Sequence, residues 1–262
     1  MSSGAVDPLS DIAAICRRHD LWFHVDGAYG AFAATVANAP VDLLALSEAD
    51  SVTVDPHKWL YTPLEAGCVL VRDPRHLRDA FAYHPPYYRF SDEVINYFDS
   101  GLQNSRGFRA LKVWLALKHV GRQGCVQMIS DDIRLAEAFF TLVEARPELD
   151  ALSHGLSIVC FRYVPPDLRS QLGEPEVESY LNRLNEDLLA RVERSGKAFF
   201  SNAVLGGVYA LRLCIVNFRT SLEDIEMLPA LVARLGASAD AELRPEVTAT
   251  QDAARPTLRT SR

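Results

Sequence analysis

The sequence predicts an α/β layer followed by a smaller α+β domain. Short runs rich in β-branched residues alternate with helical patterns through residues 1–120. Beyond them the order changes to long helix, strand, helix, hairpin and helix. Gly, Pro and Asp punctuate the ends of these runs, where turn chemistry is needed.

Residues 9–19, LSDIAAICRRH, place Leu9, Ile12, Ala13 and Cys16 at helical spacing, and Asp7-Pro8 supplies a start signal. LWFHV (21–25) reads as a buried strand broken by Asp26-Gly27. VDLLAL (41–46) reads as a short helix. SVTV (51–54) is a second strand ended by Asp55-Pro56, and GCVLV (67–71) is a third. Residues 83–92, YHPPYYRFSD, form a Pro- and Tyr-rich loop. RALKVWLALKHVG (109–121) is a helix stopped by Gly121, and a long helix follows at about 125–145. SIVCFRYV (157–164) is a strand and VESYLNRLNEDLLARVERSG (177–196) a helix. AFFSNAV and VYALRLCIV flank Gly206-Gly207 as a hairpin. LEDIEMLPALVARL (222–235) is the last helix. From Gly236 the sequence loses periodicity and turns rich in Ala, Thr, Pro and Arg, so 236–262 is predicted to be a disordered tail. Residues 121–235 are the expected small domain.

Composition narrows the function. The 262 residues are 48% hydrophobic and 23% charged, an ordinary globular balance. A net charge of −7 disfavours nucleic acid and anionic membrane surfaces, which select basic patches. No apolar run approaches the roughly 20 residues of a membrane span. The N-terminus has neither the basic nor the apolar region of a signal peptide. Cys16, Cys68, Cys125, Cys160 and Cys214 are dispersed without a CxxC pair. That pattern predicts reduced thiols and a cytoplasmic location, with no metal site.

Two strand ends carry the chemistry. Asp26 follows LWFHV, and Asp55-Pro56-His57-Lys58 follows SVTV. In open α/β sheets ligands bind beyond the carboxyl ends of strands, so an acid and a lysine there can meet at one site. A lone loop lysine is ordinarily solvated, and an Asp after a strand is ordinarily a turn or cap. Here Trp59, Leu60 and Tyr61 give Lys58 an apolar setting. A lysine in such a setting can form a Schiff base. The other constellations are weaker. No phosphate loop or GxSxG elbow occurs, and Gly27-Ala28-Tyr29-Gly30 is too loose for a dinucleotide fingerprint. His19 and His24 lack metal-ligand spacing, and His24 reads as a packed strand residue. Arg212 could meet a substrate carboxylate but reads better as a structural strand arginine. Arg106, Arg109 and Lys112 read as the solvated or interfacial side of a helix.

FHVDGAYG (23–30) and SVTVDPHKWLY (51–61) resemble the two central motifs of the group II pyridoxal-phosphate-dependent decarboxylases. That family includes the aromatic-L-amino-acid, tyrosine, histidine and glutamate decarboxylases of fold type I. The resemblance continues through PPYYRF, GLQNSRGFRALKVW and VYALRLCIVNFRT and covers about residues 3–235. It implies that residues 1–120 are part of a fold type I large domain that binds pyridoxal 5'-phosphate. It implies a Schiff base at Lys58, Asp26 as partner of the pyridine nitrogen, Ala28 against one face of the ring and His57 beside the Schiff base near the phosphate. It places on Tyr87 the tyrosine that returns a proton to carbon after CO2 leaves. Relatives that release aldehydes tend to carry Phe there, so Tyr87 favours simple decarboxylation to an amine. The implied substrate is an L-amino acid, aromatic-type first, and the implied assembly a homodimer.

Two departures qualify what is implied. Asp55 stands where the family often has Asn, an unfavourable neighbour for a phosphate unless compensated. The family's chain is also close to twice this length, and the phosphate cradle and the histidine covering the other ring face belong to the part before residue 1. The sequence therefore predicts that this polypeptide alone holds the cofactor weakly or not at all. The alternatives are an inactive remnant and another pyridoxal-phosphate enzyme such as an aminotransferase. Tyr87 and Pro-His-Lys-Trp argue against the last.

Overall fold

β-Branched runs become strands and amphipathic stretches become helices, with informative exceptions. The computed structural model describes residues 2–88 and 94–254. These divide into two units, Val6–Asp131 and a second made of Asp132–Arg262 with Met1–Ala5.

In the Val6–Asp131 unit, α1 (Leu9–Arg18) buries Leu9 and Ala13. Asp11 in its first turn and Arg17 and Arg18 in its last complement the helix dipole. β1 is His24–Asp26, shorter than the expected strand. The reason is local. The Phe23 N–H donates to the Asp50 carboxylate at 2.8 Å instead of to a ladder partner, and Leu21 and Trp22 are exposed. The stretch expected as a short helix is a 3-10 segment, Val41–Glu48, which buries Leu43 and Ala45. β2 (Ser51–Val54), α2 (Pro56–Trp59) and β3 (Cys68–Val71) follow. The sheet order is β1-β2-β3. β1 pairs β2 in parallel, with Asp26 opposite Thr53, and β2 pairs β3 antiparallel. α3 (Arg75–Phe81) was not expected, because RHLRDAF has no apolar stripe and buries no residue. α4 (Arg109–Glu144) is broken at Gly121, whose φ of 72° and ψ of 168° are non-helical, as the stop signal there predicts.

The second unit is built on an antiparallel sheet of order β4-β5-β7-β6. Its strands are β4 (Leu149–Gly155), β5 (Ile158–Tyr163), β6 (Ser201–Leu205) and β7 (Val208–Cys214). β6 and β7 form the predicted hairpin around Gly206-Gly207. β4 escaped the sequence reading because LDALSHG has no β-branched residue. Every residue of β5 is buried. Phe161 meets Phe139 and Phe200 edge-on, in a core shared with Leu181, Leu184 and Leu188 of α5 (Pro175–Arg194). Buried Asn185 accepts from the Tyr163 N–H at 2.7 Å and donates to the carbonyls of Tyr163 and Leu181, both at 2.9 Å. Arg162, 4% exposed, is neutralised by Asp150 and Glu178.

The tail expectation is corrected. α6 runs Leu222–Ala254, through Gly236 and past residue 235. Gly236 reads as a stop in sequence but serves packing: a Cβ there would lie 2.5 Å from the Tyr163 ring. Beyond it Ala239 is fully buried, and Tyr180 donates to Asp240 at 2.5 Å. Arg191 pairs with Glu242 at 2.7 Å, and Arg244 pairs with Asp167. Residues 255–262 of the predicted tail lie outside the described residues. The predicted boundary at residue 121 also moves. The division falls inside α4 at 131/132, and residues 1–5 join the second unit. Gly4 lies so close to Gly155 that a Cβ on it would sit 2.1 Å from the Gly155 carbonyl oxygen. The Ser2 carbonyl accepts from Arg212 Nε at 3.0 Å.

Gly236→Val is expected to destabilise the second unit by about 1–3 kcal/mol through overpacking against Tyr163, measured by urea unfolding. The Arg162 hydrogen bonds hold the Glu178 carboxyl below its ordinary value. A depressed folded-state value stabilises above the unfolded carboxylate value of about 4.3 and is lost as pH falls through the folded one. Urea midpoints should therefore drop below about pH 4.5, and Glu178→Gln should flatten that acid limb.

Candidate active site

Parallel pairing of β1 with β2 puts the carboxyl ends of both strands side by side. The chain leaves β1 at Asp26-Gly27-Ala28 and β2 at Asp55-Pro56-His57-Lys58. One backbone hydrogen bond joins the two exits: the Asp55 N–H donates to the Ala28 carbonyl at 3.2 Å. Gly27 makes that approach feasible, since a Cβ there would lie 2.5 Å from the Ala31 Cβ and 3.1 Å from the Thr53 carbonyl oxygen. Asp26 is exposed, and its Oδ1 accepts from the Ala28 N–H at 3.1 Å, an Asx turn that orients the carboxylate. Ala28 is buried.

Pro56 opens α2 with a preset φ, and Asp55 is its N-terminal flanking residue. One turn later Lys58 Nζ lies 2.7 Å from Asp55 Oδ2. The pair is partly shielded, with side-chain exposures of 35% and 17%. Gly67 leaves room for it, because a Cβ there would lie 3.3 Å from Asp55 Oδ1. His57 Nδ1 lies 2.7 Å from the Ala66 carbonyl oxygen and 3.1 Å from the Ala66 N, so the backbone of residue 66 fixes the ring. Its Nε2 lies 3.9 Å from Asp55 Oδ2. The next residue, Trp59, is fully buried and stacks on Tyr29, with centroids 4.7 Å apart and planes at 16°. This stack clamps the two motif segments together.

The structure thus places the segments carrying Asp26, Ala28, His57 and Lys58 at adjacent strand exits. Asp55 joins them as the residue against Lys58, a pairing legible in its i,i+3 spacing across α2. Tyr87 shares none of these contacts. It sits in a turn with its ring 77% exposed and edge-on to Tyr88. Residues 89–92 of the predicted loop lie outside the described residues. His24 is exposed rather than packed, with Nδ1 2.7 Å from Ser51 Oγ. Arg212 takes the structural reading, donating to the Ser2 carbonyl and, at 3.1 Å, to Ser201 Oγ. Arg109 pairs with Glu65 at 2.5 Å on an exposed face. Among the described residues no group of three His, Cys, Asp or Glu is arranged to hold a metal, and no helix is long and apolar enough to cross a membrane.

The pyridoxal-dependent decarboxylase conserved domain matches residues 1–164, a span that holds both strand exits. This chain belongs to the pyridoxal-dependent decarboxylase family. Family membership brings the fold type I architecture and pyridoxal phosphate as the family's cofactor. The chain is 36% identical over 227 residues to an aromatic-L-amino-acid decarboxylase of Bacillus atrophaeus, a match spanning 85% of this chain and 46% of that protein. It is 34% identical over 253 residues to tyrosine decarboxylase 4 of Petroselinum crispum, spanning 95% and 48%. The crystal structure of Oryza sativa TDC with PLP and tryptamine superposes with a TM-score of 0.81 at 27% identity, covering 90% of this chain and 49% of that one. This decarboxylase-family chain spans about half the length of the curated relatives it matches.

Trp59→Ala is expected to cost the Val6–Asp131 unit about 3–5 kcal/mol, because it removes a fully buried ring and with it the stack on Tyr29. Denaturant unfolding followed by circular dichroism measures it.

Proposed function

We propose that this chain carries the lysine-bearing part of a decarboxylase that converts an aromatic L-amino acid to its amine. The observation that carries the reading is that Asp26 and the Asp55–Lys58 segment leave the carboxyl ends of two adjacent parallel strands and are joined by the Asp55–Ala28 backbone hydrogen bond. The donor set fits pyridoxal phosphate: a partly shielded primary amine for its aldehyde, an exposed oriented carboxylate for its ring nitrogen, and a small buried side chain where the ring lies. When bound, that group supplies the electron sink for the bond to CO2.

The chain's own residues do the rest. Lys58 would hold the cofactor through its amine. Asp55 accepts the Lys58 ammonium hydrogen bond and orients Nζ while the site is being loaded. Asp26 keeps a proton on the ring nitrogen through opposite charge. His57, its Nδ1 anchored at residue 66, presents Nε2 beside Lys58. Tyr87 delivers a proton to the carbon that loses CO2. The names of the relatives, aromatic-L-amino-acid and tyrosine decarboxylases, support the aromatic substrate class. A homodimer working in the cytoplasm is part of the proposal. Exposed Phe108, Trp114 and Leu115 on and beside α4 support a partner there.

The test is borohydride reduction after incubation with excess pyridoxal phosphate, followed by peptide mass mapping. Substoichiometric pyridoxyl on Lys58, in keeping with weak retention of the cofactor by this polypeptide alone, and its loss in Lys58→Ala, is the expected result. Label confined to Lys112, Lys118 or Lys197 overturns the reading, and no label on any lysine favours an inactive piece. Tyr87→Phe is expected to lower amine formation about 10²-fold, the scale of one general acid, and to divert product toward the aldehyde. Chromatography of the products checks this.

A further inference from the structure

We propose that His84 and Asp99 form a latch that sets the orientation of the turn carrying Tyr87, which makes both of them positioning residues. The catalytic consequence rests on the reading of Tyr87 given above, while the latch itself does not. The turn is stiff. Pro85 and Pro86 fix two φ angles, and the Tyr88 N–H donates to the Pro85 carbonyl at 2.8 Å. A stiff turn is aimed by its flanks, and both flanks are held by the stretch 98–104. On one side His84 Nε2 lies 2.8 Å from Asp99 Oδ1, and the His84 ring meets Phe98 edge-on at 6.2 Å. On the other, Tyr88 meets Phe98 edge-on at 5.9 Å, and its hydroxyl accepts from Asn104 Nδ2 at 3.2 Å. Tyr87 lies between the two anchors with its ring outward.

Asp99 makes the arrangement directional. Its side chain is 5% exposed, whereas that of His84 is 46% exposed. A buried carboxylate is costly without a donor, so Asp99 selects the turn position that brings His84 Nε2–H to it. Ring packing on Phe98 alone would tolerate rotation of the turn, whereas a hydrogen bond to a fixed oxygen would not.

Two substitutions at His84 separate these effects. His84→Gln keeps a donor at the reach of Nε2 and loses the ring. His84→Phe keeps the ring and loses the donor. Amide hydrogen exchange at Tyr88 reads the closure of the turn directly. The expected order is that His84→Gln stays near the parent protein while His84→Phe exchanges about tenfold faster, the low end for a hydrogen bond to a charged group. Any other order, or no change in either variant, overturns the latch. Protection in β1 and β2, in the same unit as the latch, reports that the variants are folded. In the turnover assay His84→Phe should lower kcat with KM within about twofold, and His84→Gln should restore it. If Tyr87→Phe leaves the product unchanged while the exchange order holds, the proton-donor reading of Tyr87 fails and the latch stands.

Discussion

The parallel ladder between β1 and β2 is the constraint on which the candidate site depends. Two strands running the same way must end on the same side, and their loops must begin there. Asp26 and Lys58 are far apart in the chain, yet the register that puts Asp26 opposite Thr53 leaves their loops within one backbone hydrogen bond of each other. An antiparallel pairing of the same two strands would send Asp26 and the Asp55–Lys58 segment to opposite ends of the sheet. The site is thus a consequence of strand direction before it is a consequence of any side chain.

The surroundings of the ladder explain why so small a sheet holds its geometry. Gly27 lets the first loop lie against β2, Gly67 leaves space for the Asp55 carboxylate, and the Tyr29–Trp59 stack locks the loops together. Each device restricts backbone freedom close to Lys58. The lysine itself is left half open, held through an ion pair rather than by packing. The packed Tyr29–Trp59 stack and the half-open, ion-paired Lys58 thus sit next to each other in the chain with different degrees of burial.

Much of this was legible in the residues, and the failures have physical causes. SVTV, GCVLV and the hairpin around Gly206-Gly207 announce themselves through β-branched side chains and turn glycines. Asp26 and Lys58 stand out as candidates because they close strands, whereas Ala28 and His57 became candidates only through the resemblance of their motifs to a known family. β4 was missed because its sequence has no strand propensity and owes its pairing to β5. Gly236 misled because a helix-breaking residue can also be the one that lets a helix pass close over an aromatic ring. The Tyr29–Trp59 stack and the His84–Asp99 pair leave no trace in local spacing, since each joins residues through tertiary structure. Tyr87 was found from a motif, and its surroundings had to come from the fold.

The contact between Gly4 and Gly155 bears on how the molecule is made. Residues 2–5 settle against β4, β5 and β7, and the Ser2 carbonyl waits for Arg212, 210 residues later. A chain synthesised from its N-terminus exposes these residues long before their partners exist. The α1-to-β3 region can close on itself while the ribosome is still translating. Residues 2–5 cannot, because their partners in β4, β5 and β7 are translated much later. Completion of β7 therefore finishes its own sheet and secures residues 2–5 in the same step.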